Sequence, residues 1–237
     1  SISRNSAHGF DSVSHNLTER QVPMGEIYFP SCNFTKASPE AAKRLRGYLK
    51  EKMPVAGCCR IDSTSYPAGN TALYFCQACR ETLEAKPENQ LILENLFVWL
   101  DRQEDYPWPD YKGLTVNIQD CWRDREHPEI FQGVRSVLQK LNVRAVELTE
   151  NRERSFYCGN LHFQPEKPEN IALLKRWPDT PLYRLPEDIQ KQLMAEQVEK
   201  YTCPLTVAYC NRCTAGILLG GGRGVHLMEL ATGCFAG

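Results

Sequence analysis

The sequence predicts an α/β protein built as two pseudo-symmetric repeats of mostly parallel strands with helices, the cysteines standing at the carboxyl ends of the strands. Three observations predict it. Short apolar runs alternate with amphipathic stretches, the pattern of parallel sheets joined by crossover helices. The order of these runs occurs twice along the chain. In both copies a Cys-x-x-C, Cys76 to Cys79 and Cys210 to Cys213, falls at a strand-to-helix turn, and the next apolar segment starts twelve residues after its last cysteine.

The first half is predicted over residues 23–112. Residues 25–30 form a short strand ending at Ser31-Cys32. Ser38-Pro39-Glu40 opens a helix, with serine as N-cap and proline at the first helical position. Ala42, Leu45, Tyr48 and Leu49 give that helix its apolar stripe. Val55-Ala56-Gly57 leads into Cys58-Cys59, and a second strand over 72–75 runs into Cys76 and a new helix. An apolar segment at 91–93 and a helix over 94–100 close this half, and the stretch 103–112 reads as a linker.

The second half is predicted over residues 113–237. A strand at 114–119 ends at Asp120-Cys121, a helix spans 129–141 and a strand spans 145–148. Ser155-Phe156-Tyr157 leads to Cys158-Gly159, a strand over 205–209 enters Cys210, and residues 225–228 with a short helix close the chain. Sixteen residues separate Cys59 from Cys76 but fifty-one separate Cys158 from Cys210. The excess is an insertion at about 164–202, with loop chemistry at 177–181 and a helix over 186–200. Residues 1–22 read as a flexible tail without a periodic apolar face or the apolar core of a secretory signal.

Composition narrows the function. The chain has 237 residues, 42% hydrophobic and 24% charged, with net charge −1. That balance excludes a disordered chain and lacks the electrostatic footprint of a nucleic-acid binder. No apolar run approaches the ~20 residues of a membrane span. Eleven cysteines is a large and odd number. A cytoplasmic location with reduced thiols is expected, and clustered reduced thiols point to metal or redox chemistry rather than disulfide staples. Soft thiolates select iron–sulfur clusters, zinc or copper(I), and a Cys-x-x-C at a helix start aims two thiols at one point where the helix favours their anionic form.

The first set, Cys32, Cys58, Cys59, Cys76 and Cys79, exceeds the four ligands of tetrahedral zinc or of an ordinary cubane cluster. A thioredoxin-like dithiol at Cys76 and Cys79 is the competing reading. The second set, Cys121, Cys158, Cys210 and Cys213, suits a cubane, a zinc ion or an empty site. Cys203 and Cys234 match no motif position. Arg60 and Arg123 stand beside cysteines and are the candidates for binding a negatively charged substrate. His226 reads as a core or surface histidine rather than a ligand, and the glycine run at 220–224, which lacks the lysine and hydroxyl of a phosphate loop, reads as a flexible turn.

The pattern C-x(n)-C-C-x(n)-C-x-x-C, occurring twice, resembles the cysteine-rich CCG domain family. Its members include the cysteine-rich subunit of heterodisulfide reductase and iron–sulfur subunits of glycolate, lactate, glycerol-3-phosphate and some succinate oxidoreductases. The resemblance runs from about residue 27 to the C-terminus. It implies an oxidoreductase or oxidoreductase subunit whose Cys32, Cys58, Cys59, Cys76 and Cys79 hold a non-cubane [4Fe–4S] cluster. It implies thiol/disulfide or electron-transfer chemistry, the alternative being a non-catalytic electron-transfer or zinc-binding assembly subunit of a dehydrogenase complex. An electron donor or acceptor of the ferredoxin or flavoprotein kind would lie on another chain, because the C-x-x-C-x-x-C-x(3)-C-P run is absent here. The chain departs from the family pattern at Arg60, which replaces a glycine, in the short gap to Cys76, and at Tyr157, which replaces one cysteine of the second pair. One shared cleft between the halves is expected, with Arg60 and Arg123 near its rim.

Overall fold

A computed structural model describes residues 25–86, 88 and 90–235; the expected tail at 1–22 lies outside the described residues. Seven short strands form two parallel sheets among these residues. β1 (Glu26–Tyr28), β2 (Thr71–Tyr74) and β3 (Ile92–Asn95) lie in the order β1-β2-β3. β4 (Leu114–Gln119), β5 (Val143–Glu147), β6 (Thr206–Ala208) and β7 (Gly224–His226) lie in the order β5-β4-β6-β7. Every pairing of these strands is parallel, with Leu73 facing Tyr28 and Glu94, and Val207 facing Ile118 and Val225. The α/β class predicted from the alternation is therefore the one observed. Parallel strands place all their carboxyl ends on one edge of each sheet, and that edge carries the cysteine loops.

Two helices follow β1. Ser31 Oγ accepts from the Phe34 N–H at 3.1 Å and starts α1 (Cys32–Ala37), so Cys32 is the first residue of a helix rather than the end of a strand. The sequence gives little sign of this helix because Phe34 is its one buried residue. α2 (Pro39–Lys50) begins where Ser38-Pro39 predicts and buries Ala41, Leu45 and Leu49. The Ser38 side chain makes no cap bond; its N–H instead donates to the Phe34 carbonyl at 2.7 Å and closes α1. Each Cys-x-x-C opens a helix, α3 (Gln77–Glu84) after β2 and α8 (Asn211–Leu219) after β6, with Cys76 and Cys210 as their N-caps. α4 (Leu96–Asp101), α5 (Pro128–Lys140) and α9 (Leu227–Ala231) complete the two layers. The long gap holds α7 (Glu187–Val198), near the expected position, and α6 (Pro168–Leu174), a two-turn helix whose one buried residue is the polar Asn170.

The two sheets share one hydrophobic core. Phe34, Phe75 and Phe97 from the first half meet His226 and Tyr209 from the second through edge-on and tilted ring contacts. Residues 103–112 contain no helix or strand, yet they are not a loose linker. Tyr106 is buried and its hydroxyl donates to the Ala231 carbonyl at 2.9 Å, while Tyr111 donates to Leu230 at 2.9 Å. These bonds tie the connection between the halves to α9. The glycine run at 220–224 leads into β7, with Gly220 against the backbone of Met194 and Ala195 on α7. It is a packed turn at the amino end of a strand, on the opposite edge from the cysteines. No helix among the described residues is long and apolar enough to cross a membrane.

Candidate metal centre

β4 and β6 are adjacent strands, so the residues that follow them meet. Cys121 follows β4 and its N–H donates to the Tyr209 hydroxyl at 3.1 Å. Asp120, one residue earlier, is clamped by Arg135 at 2.6 Å and by the Arg152 N–H at 2.8 Å, which fixes the end of the strand. Cys158 lies on a loop held from both sides: Trp122 N–H donates to the Tyr157 carbonyl at 3.0 Å, and Cys158 N–H donates to the His162 carbonyl at 2.7 Å. Cys210 and Cys213 come from the first turn of α8. The four sulfurs all lie within 4.8 Å of one another, with Cys121 to Cys158 at 3.6 Å and Cys158 to Cys210 at 3.9 Å. All four side chains are buried. This is the one group of three or more such ligands, among the described residues, that meets so closely.

Four buried thiols are the donor set that soft metals require. A tetrahedron with ~2.3 Å metal–sulfur bonds has edges of ~3.8 Å, and the two sulfur separations above bracket that length. Of the four thiols, one is favoured as the thiolate. Hydrogen bonds from Cys121, Cys158 and Cys213 hold Cys210 well below the ordinary thiol range, while burial pushes Cys121 and Cys213 up. In the metal-free chain one sulfur thus carries the charge and its neighbours keep their protons. A metal replaces those protons.

The loop of Cys158 depends on two glycines. Gly159 has φ +54°, and a Cβ there would overlap the Arg212 carbonyl of α8. This is the physical reason for a glycine directly after the cysteine. Gly216 on α8 faces the same loop, and its missing side chain makes room for the Tyr157 hydroxyl and the Gly159 Cα. Tyr157, next to Cys158, is buried, and its hydroxyl lies beside Gly216 of α8 and meets Met194 Sδ of α7 at 3.6 Å. Met194 of α7 thus covers the residue before Cys158.

The first set is more dispersed. The neighbouring Cys79 thiol holds Cys59 and Cys76 down at about 6, and those two raise Cys79 in turn. Cys32 is exposed and is raised to about 11, first by the local burial of its sulfur and then by its contact with Cys58. The five thiols thus form a buried trio and an outer pair. The adjacent cysteines divide between them, Cys59 inward and Cys58 outward. Arg60, directly after the adjacent pair, is exposed.

Cys76 of the first set and Cys210 of the second both line one cleft of about 560 Å³. Arg60 and Arg123 line it as expected, but Arg123 is engaged in an ion pair with Glu81 of α3. Polar bonds cross between the halves beside the cleft. Gln77 donates to Asp124 at 2.7 Å, Arg80 pairs with Asp124 and donates to the Arg123 carbonyl at 2.5 Å, and Asn211 donates to Ser31 Oγ at 3.3 Å. Asp124 and Arg80 are both buried. Burial lifts Asp124 to about 6 against the pull of Arg80. Nothing in the sequence announces this pair, because its members lie 44 residues apart. Cys203 and Cys234 stand outside both sets: Cys203 N–H donates to Asn117, and the Cys234 thiol faces the Thr232 carbonyl. His226 is a buried core residue and also caps α9 through Nδ1.

Searches of family models, of curated proteins and of solved structures returned no match to this chain.

Proposed function

We propose that the chain is an iron–sulfur redox protein of the heterodisulfide-reductase kind, working in thiol/disulfide or electron-transfer chemistry. The observation that supports it is the single cleft with the first cysteine of each Cys-x-x-C, Cys76 and Cys210, on its walls. In this reading Cys32, Cys58, Cys59, Cys76 and Cys79 hold a non-cubane [4Fe–4S] group, and Cys121, Cys158, Cys210 and Cys213 hold a second metal centre. A bound cluster supplies one-electron steps. The chain's own part is to fix the two sets relative to each other through Gln77, Arg80 and Asp124, to keep water from the buried tetrad, and to leave Cys32 and Cys58 toward solvent. Electrons would come from or pass to a ferredoxin-like or flavoprotein subunit on another chain.

A second reading is favoured by one observation. The sulfur separations of 3.6 and 3.9 Å in the second set match the edges of a single-metal tetrahedron, which makes structural zinc the alternative at that position.

Anaerobic purification with iron, acid-labile sulfide and zinc quantified tests both. The redox reading expects brown protein with about four irons and four sulfides for the first set. Colourless protein holding one zinc and no sulfide would overturn it and leave a zinc-stapled chain.

A further inference from the structure

The cleft has a charge character of its own. Across the whole chain, 28 basic residues are balanced by 29 acidic ones. On the cleft walls, Arg60, Lys86, Arg123 and Arg212 face a single acid, Glu81, which is engaged with Arg123. The other three cations have no carboxylate partner among the described residues. Arg212 Nη1 donates to the neutral Asn160 Oδ1 at 3.0 Å, and its guanidinium lies 6.0 Å from the centre of the Tyr183 ring. Lys86 Nζ reaches only the Asp62 carbonyl, at 3.4 Å. The Asp62 carboxylate is turned into its own loop, accepting from Gly57 N–H at 2.7 Å and Thr64 N–H at 2.9 Å. Three positive charges in a concave space lined by Cys76 and Cys210 therefore have no carboxylate partner among the described residues, while Glu81 and Asp62 are engaged elsewhere.

We propose that this cleft binds a small molecule carrying a carboxylate or phosphate group, held by Arg60, Lys86 and Arg212. The volume of about 560 Å³ falls within the range of small-ligand sites, ~300–1,000 Å³. Guanidinium groups on opposite halves suit the planar, two-point recognition of such anions. Arg123 contributes only when Glu81 releases it. The binding does not depend on which metal the cysteines hold. A rival account is that the three cations only offset the charge of metal-bound thiolates.

Calorimetric titration of the full anaerobically purified chain tests the assignment, with succinate, inorganic phosphate and the uncharged succinamide as probes. Succinate or phosphate should bind at one site and succinamide should not, and comparison of the two anions shows which group the cleft prefers. Arg60→Gln and Arg212→Gln should each weaken the anion about tenfold, the loss of one charge-assisted bond. Glu81→Gln removes the one acid and frees Arg123, so it should tighten binding several-fold. Lys191→Gln, on the exposed face of α7, should change nothing. Equal binding of succinamide, or arginine variants that alter metal content while leaving anion affinity untouched, would overturn the proposal. So would a weaker anion in Glu81→Gln.

Discussion

Replacing Gly216 with alanine tests whether α8 and the Cys158 loop are locked together. A Cβ at this position would stand 2.5 Å from the Gly159 Cα and 3.2 Å from Met194 Sδ, and nearer still to the Tyr157 hydroxyl. Carbon atoms in contact want ~3.5–4.0 Å, so helix and loop must separate by about 1 Å. Overpacking of this size costs about 1–3 kcal/mol. Alanine in a helix returns about 1 kcal/mol relative to glycine, leaving a net loss of up to about 2 kcal/mol. The separation falls directly on the tetrad, because the loop carries Cys158 and the helix carries Cys210 and Cys213, whose sulfurs now converge. Metal affinity should therefore fall more than stability. The assay pairs denaturant unfolding of the metal-free chain with a cobalt(II) titration followed by its thiolate absorption. Tyr157→Phe, which loses only the 3.6 Å contact with Met194 sulfur, should be nearly neutral alone and should recover part of the loss in Gly216→Ala. If Gly216→Ala matches the unsubstituted chain in both stability and cobalt affinity, the close packing of helix and loop is refuted.

Serine replacements of Cys121, Cys158, Cys210 or Cys213 should each lower the metal content measured by elemental analysis, whereas Cys203→Ser and Cys234→Ser should leave it unchanged. Because burial keeps protons on Cys121 and Cys213 in the metal-free chain, metal affinity should drop by about tenfold per released proton for each pH unit of acidification, as a competition titration with a chromophoric chelator would read. Burial holds His226 down to about 4. Its contribution is therefore complete above the ordinary histidine value of ~6.5 and is lost as pH falls toward 4, a swing of roughly 3 kcal/mol. His226→Asn keeps an acceptor for the cap of α9 and should flatten the chemical denaturation midpoint across that window. Asp124→Asn leaves the buried Arg80 with only the 3.7 Å ion pair to Glu84 and should cost up to about 3 kcal/mol; a thermal midpoint equal to that of the unsubstituted chain would show that the pair does not join the halves.

Local chemistry made much of the fold legible. Alternating apolar runs marked the parallel strands, Ser38-Pro39 marked the start of α2, and the two Cys-x-x-C motifs marked strand-to-helix turns. These signals act over a few residues, through capping, backbone restriction and side-chain periodicity. Short elements with one buried side chain, such as α1, leave no such signal, and Cys32 therefore reads from sequence as a strand end.

The convergence of sites is a different matter. Counting thiols ranks the five-cysteine set first, whereas the described structure draws the four-cysteine set into the tighter group, because strand order places the ends of β4 and β6 side by side. That order is chosen by burial of apolar faces across the whole core, of which the four cysteines are only a part. The pairing of Glu81 with Arg123, which removes a predicted anion-binding arginine from use, and the burial of Arg80 with Asp124 are decided the same way. The sequence determined which residue types stand at the strand ends. Only the tertiary structure decided which of them meet, because contact between residues 40 to 90 positions apart depends on how sheets and helices pack rather than on their neighbours in the chain.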